Sequence, residues 1–135
     1  MSTLRLGFAA AVSALLAGCA FMPPEPMSPE LQTAYDTPLY CNGPEECKLI
    51  WERASYFVAT ESRWQVIALT DNLIETEGVP RGYYPLAYSI AREPMGKGRY
   101  RIMTQSWCGV GPNGCRPRAD IGVARAKHYM RTGEK

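Results

Sequence analysis

Histidine is nearly absent. The chain of 135 residues holds one, His128, which excludes metal centres and proton relays built on several imidazoles. No C-x-x-C pair occurs, so the usual redox dithiol is excluded. No G-x-S-x-G elbow occurs either, which removes a common hydrolase signature. Charge of one sign is scarce: 15 Lys and Arg face 13 Asp and Glu, a net +2. That excess is too weak for a dedicated nucleic-acid binder. A permanent membrane span is not expected either. The apolar run Leu6–Leu16 covers about 16 Å as a helix, roughly half a bilayer core.

What is present begins at the amino end. Arg5 is the only charge before residue 25, and the short apolar run behind it has the layout of an export signal. The run closes on Leu16-Ala17-Gly18-Cys19, and there the chain resembles bacterial lipoproteins. Their lipobox has a large aliphatic residue, two small residues and a cysteine. The resemblance implies cleavage before Cys19 and acylation of its thiol, with palmitate-type chains as the only added group and no other cofactor. Two or more chains give a stable hold on a bilayer. Residue 20 is Ala, where the Gram-negative class uses Asp for inner-membrane retention. The resemblance therefore implies a lipid anchor in the outer membrane, facing the periplasm.

Three regions are expected: a signal peptide over 1–18, a lipidated and proline-rich tether over 19–39, and one domain over 40–135. Pro23, Pro24, Pro26, Pro29 and Pro38 favour extended chain in the tether. Asn42-Gly43-Pro44-Glu45-Glu46 then starts a helix, with a cap candidate, a first-turn proline and two acids at the positive dipole end. Cys47, Ile50, Trp51, Ala54, Phe57 and Val58 follow at helical spacing, which predicts a helix over about 44–60. Three β-rich stretches follow, 64–70 with an extension to 76, 85–92 and 99–108. Thr70-Asp71-Asn72 interrupts the first, as a bulge, a turn or a polar contact site. Ile121, Val123, Ala124, Ala126 and Met130 mark a last helix over about 118–131. The expected fold is α+β in the order α-β-β-β-α, with both helices on one face of a three-stranded antiparallel sheet.

Cys41, Cys47, Cys108 and Cys115 remain after Cys19. Four cysteines allow three pairings, and sequence alone does not choose among them. Clustering favours two local bridges, 41–47 and 108–115, and an oxidising compartment favours disulfides over thiols. Zinc is disfavoured, because the spacings are C-x5-C and C-x6-C.

Other constellations are weaker. His128 with Asp120, Asp71 or Ser106 makes a poor triad, and no catalytic residue is assigned. Trp64 and Trp107 suit packing under the helices better than a glycan groove. Charge is asymmetric along the chain. Residues 20–78 carry 10 acids and 3 bases, residues 79–135 carry 11 bases and 3 acids. Either the halves attract within one domain, or Arg99, Arg101, Arg116, Arg118 and Arg125 belong to a basic contact face for an envelope protein or an anionic envelope polymer.

The segment Cys41-Asn-Gly-Pro-Glu-Glu-Cys47, with Trp51, Ala54 and Thr70-Asp71-x-x-Ile74-Glu75-Thr76, is similar to a group of small lipoproteins of proteobacteria. The similarity runs from about 40 to 130 and includes Cys108. It implies no activity and supplies no catalytic residues, and the Arg-rich C-terminal part departs from it. The expected role is a non-enzymatic, membrane-anchored binding or structural module of the envelope. The alternatives are an accessory lipoprotein of a secretion or pilus assembly and, with least support, a cell-wall hydrolase.

Overall fold

The helix expected after Asn42 forms as α2, Gly43–Glu61. Its start is satisfied in a way the sequence hints at: the Glu46 carboxylate accepts the Asn42 backbone N–H at 2.7 Å, while the Asn42 side chain makes no cap bond. Its buried residues are Cys47, Ile50, Ala54, Phe57 and Val58, the stripe that helical spacing predicts except for Trp51, which is half-buried and packs against the core's margin. In the computed structural model, which describes residues 25–135, the other elements are α1 (Pro29–Asp36), β1 (Leu39–Asn42), β2 (Val66–Leu69), β3 (Leu73–Thr76), β4 (Ala87–Gly96), β5 (Arg99–Trp107) and α3 (Ala119–Thr132). The lipobox and Cys19 lie outside the described residues.

The strands form one antiparallel sheet in the order β1-β5-β4-β3-β2. The expected three-stranded sheet with two helices is therefore corrected to five strands and three helices, still α+β. Two causes account for the extra strands. Thr70-Asp71-Asn72 reverses the chain, since the Thr70 hydroxyl accepts the Asn72 and Leu73 N–H groups, and splits one β-rich stretch into β2 and β3. The four residues of β1 alternate inward Leu39 and Cys41 with outward Tyr40 and Asn42, and so pair with Arg99–Ile102 of β5. The β4–β5 hairpin closes through Lys97 and Gly98, both at positive φ, as a two-residue turn with two left-handed positions requires.

The stretch expected to be extended contains α1. Ser28 caps it by accepting the Leu31 N–H, Pro29 occupies the first turn, and Pro38 follows its end. Proline at those positions frames a helix; it breaks one only in the interior. α1 packs chiefly on α3, where Lys127 donates to the Tyr35 carbonyl and Arg131 to the Pro38 carbonyl.

The core lies between the sheet and the helices α2 and α3. Ile50, Phe57 and Val58 of α2 meet Ile74, Tyr88, Ile90 and Ile102 of the sheet, with Ala126 and Met130 of α3. Phe57 stands edge-on to the Tyr88 ring at 5.5 Å. α3 ends at Gly133 in the left-handed conformation, and the Arg53 guanidinium donates to the free Met130 and Arg131 carbonyls there.

Two loops are locked to each other beyond the sheet. Gly109 donates to the Tyr83 carbonyl and accepts from Gly82. A Cβ on Gly109 would lie 1.9 Å from the Pro80 carbonyl oxygen. Gly109→Ala should therefore cost about 2–4 kcal/mol, read as a lowered denaturation midpoint; an unchanged midpoint would refute this contact.

Candidate functional site

The four described cysteines form two local disulfides. Cys41–Cys47 ties the end of β1 to the first turns of α2, and Cys108–Cys115 closes the loop between β5 and α3. Cys41 and Cys115 are fully buried, so each bridge also contributes packing.

The five arginines expected on one basic face occupy two places. Arg99 and Arg101 are exposed on β5 near its hairpin end, and Arg99 lies over the Tyr40 ring. At about 3.3 Å per residue, the start of β5 is about 26 Å from its end. Arg116 and Arg118 sit beyond that far end, just before α3, and Arg125 lies midway along α3. The charge asymmetry is resolved partly within the domain. Glu25 pairs with Arg125, Glu30 approaches His128, and Glu61 pairs with Lys135. Each of these contacts joins the acidic half of the chain to the basic half.

Arg116 and Arg125 converge with Arg63, Tyr88, Glu61 and Phe57 on a cavity of about 480 Å³. Its position follows from the fold: α2 ends beside it, β4 brings Tyr88 from the sheet, and α3 brings Arg125. Tyr88 is 3% exposed. Burial, then the Glu61 charge, push its pKa above the usual tyrosine range, against a smaller opposing effect of Arg125, so the phenol remains a hydrogen-bond donor. Arg118 lies outside this cavity and is paired with Asp120. Burial acts to raise the Asp120 pKa, but the Arg118 hydrogen bond, the Ile121 N–H and the Arg118 charge outweigh it and hold the carboxyl below its usual range.

A second concavity, about 890 Å³, runs along the outer edge of β5. β1 covers only Arg99–Ile102, so Met103–Trp107 pairs with β4 alone and has no strand on its outer side among the described residues. Gly43 donates to the Gly98 carbonyl, which sets the alternation: even-numbered residues of β5 turn their backbone groups toward β1. Thr104 and Ser106 consequently present theirs to the open edge. The Thr104 hydroxyl is buried without a hydrogen-bond partner among the described residues. Lys127 flanks the groove. Burial, then the Arg131 charge, lower its pKa against a weaker pull from Asp36.

The remaining candidates are dispersed. His128 faces Glu30 at 3.8 Å, Ser106 donates to the Ala119 carbonyl, Asp120 holds Arg118, and Asp71 lies at the β2–β3 turn. The imagined triad is not brought together. Trp64 donates to the Pro85 carbonyl and meets Tyr83 edge-on. Trp107 shares the strand parity of Met103 and Gln105, turned away from the helices, and lines the open groove; the packing expected for it under the helices is thereby corrected. Arg63 and Tyr88 were missed as site residues, because only the tertiary fold carries them to Arg125. Among the described residues, no cluster of His, Cys, Asp or Glu is placed to hold a metal, and no helix is long and apolar enough to cross a membrane.

No family model, curated protein or solved structure matches this chain.

Replacing Cys41 and Cys47 together by serine should cost about 2–2.5 kcal/mol by loop-closure entropy, measured by denaturant titration; a loss near zero would show that the loop is held without the bridge. Asp120 adds stability above its unfolded pKa and loses it as pH falls through the lower folded value. Asp120→Asn should therefore be less stable than the wild type at neutral pH, with the gap closing in acid. A gap that persists at the acid end of a pH series would exclude ionic coupling to Arg118.

Proposed function

We propose that the protein is an exported, lipid-anchored module of the bacterial envelope that acts by binding. Its acyl anchor is Cys19, and its site of action is the periplasmic face of the outer membrane. The observation that carries this reading is the pair of disulfides, each closing a short loop on a domain of modest core. Such bridges persist in oxidising compartments and not in the cytosol. They agree with the export signal and lipobox in the sequence, and the Cys108–Cys115 bridge braces the loop that borders both concavities without adding a reactive thiol.

A second reading, membership of an envelope assembly, draws on the open half of β5. A sheet edge with unmet backbone donors and acceptors takes up an extended segment as an added strand, a common way for one chain to join another. The groove beside Thr104 and Ser106, about 890 Å³, is walled by the α1–β1 corner and α3.

Metabolic labelling with an alkyne fatty acid tests the anchor. The wild-type chain should carry label and sediment with outer membranes, whereas Cys19→Ala should carry none. Label retained by that variant, or an unlabelled wild type in the soluble fraction, would overturn the assignment. A photo-crosslinking residue at Gln105 separates the two readings: one stoichiometric protein adduct in intact cells favours the assembly, and its absence leaves the independent module.

A further inference from the structure

The cavity at the start of α3 has the composition of an anion site. Arg63, Arg116 and Arg125 bring three guanidinium groups to a volume of about 480 Å³, and guanidinium forks match the geometry of phosphate oxygens. One carboxylate shares the lining, Glu61, and Lys135 holds it at 2.6 Å. Arg63 has no hydrogen bond or ion pair among the described residues. Arg116 spends one terminal nitrogen on the Gly114 and Cys115 carbonyls, which fixes its position and leaves its other N–H groups available.

The second observation is independent of the charges. Tyr88 is nine-tenths buried, lines the cavity, and its hydroxyl meets no hydrogen-bond partner among the described residues. The hydroxyl oxygen opens onto the cavity and is not one of the fully buried unpartnered atoms, Arg92 Nε and Thr104 Oγ1, so a ligand oxygen there accepts the phenol's hydrogen bond in place of solvent. One internal anion already samples the rim. The Glu25 carboxylate lies 3.3 Å from Arg125, with both side chains about half exposed (58% and 44%). An exposed pair of this kind contributes about 0–1 kcal/mol, so a doubly bonded phosphate displaces it.

Glu25 also sets the location. Its backbone oxygen accepts from Arg118 at 3.5 Å, so the chain passes the cavity rim at residue 25. Glu25 is six residues on from Cys19, a span of at most about 22 Å in extended chain. With Cys19 acylated, the three arginines lie within reach of the polar surface of the bilayer.

We infer that the Arg63–Arg116–Arg125–Tyr88 cavity binds the phosphate of an anionic lipid headgroup in the membrane to which the protein is anchored. This inference deepens the lipid-anchor reading and rests on it for the source of the phosphate. The chemistry of the site is phosphate recognition, whether the group is carried by lipid or free in solution. The phenol supplies a neutral donor and the guanidinium groups supply charge.

The test uses the full-length protein purified in a non-ionic detergent, titrated calorimetrically at constant ionic strength with dihexanoyl phosphatidylglycerol, dihexanoyl phosphatidylcholine and sodium phosphate. Phosphatidylglycerol should bind saturably, at least tenfold more tightly than the zwitterionic lipid. Arg125→Gln and Tyr88→Phe should each weaken it at least fivefold, and Arg99→Gln should leave it unchanged. Unchanged melting curves for the variants separate loss of the site from loss of the fold; Tyr88→Phe keeps the ring that packs on Phe57. Saturable binding of sodium phosphate without preference for the lipid would overturn the headgroup as the source. Equal binding by the wild type and both variants would overturn the site itself. The intact mass of the same sample reports the acyl chains, so an unacylated protein that still binds phosphate would sink the anchor and leave the cavity standing.

Discussion

Close approach of α3 to the sheet is the constraint on which most of this structure depends. A Cβ at Gly122 would sit 2.3 Å from a Leu86 methyl carbon and about 3.1 Å from the Ser106 and Tyr88 oxygens. No larger residue fits there without moving the helix outward. Ala119, Ala124 and Ala126, all buried, extend the same economy of volume along α3, which is covered on one side by the sheet and on another by α1. Small side chains bury little apolar area each, about 25 cal/mol per Å². Their contribution is therefore distance: they let Ile90, Ile102, Phe57 and Met130 close into one core. The same approach delivers Arg125 to the cavity beside Tyr88 and Lys127 to the groove beside β5.

Charge contributes to this arrangement on a different scale. The pairs Glu25–Arg125 and Glu61–Lys135 are partly exposed, so both contribute little and weaken with salt. Each disulfide, by contrast, contributes about 2–2.5 kcal/mol through the unfolded chain. Neither replaces the core. The ion pairs choose which way round α1 and the C-terminal tail lie against the rest, because they join the acidic first half to the basic second half. The bridges restrain short segments at the margin of the core and add their own buried sulfurs to it.

Much of the helical framework was legible in the sequence, and so was the long β4–β5 hairpin. The Cys47–Val58 stripe and the β-rich stretches 85–92 and 99–108 carry local signals of the kind that survive folding, although β4 runs on through Pro94 to Gly96 and leaves only Lys97 and Gly98 to the turn. α1 was not read, although Ser28-Pro29-Glu30 carries the same start signature as Asn42-Gly43-Pro44-Glu45. The density of prolines around it suggests extended chain, and only the positions of Pro29 and Pro38 at its two ends reveal a helix. β1 is too short to show a period. Asp71 and Asn72 are poor strand formers, and the sequence left open whether they mark a bulge, a turn or a contact site. Cysteine clustering favoured local bridges, and the fold forms them. Arg63 and Tyr88 carried no signal at all, since they join Arg125 only through long-range pairing.

The two concavities stand in a definite relation through α3. Successive residues of a helix turn by about 100°, so Val123 and Arg125 point to nearly opposite flanks. Arg125 serves the arginine-lined cavity, and Val123, with Ala119 and Lys127, serves the groove at the open β5 edge. The chain from the amino end arrives on the Arg125 flank, where Glu25 touches Arg118 and Arg125. On the proposal that Cys19 is acylated, this flank is drawn toward the bilayer and the open edge is turned from it. A domain held by its acyl chains alone would pivot freely, and an extended segment would meet the β5 edge in every orientation. If the arginines hold a headgroup, that contact limits the pivot and turns the open edge away from the bilayer, so that anchoring and strand addition would share one orientation.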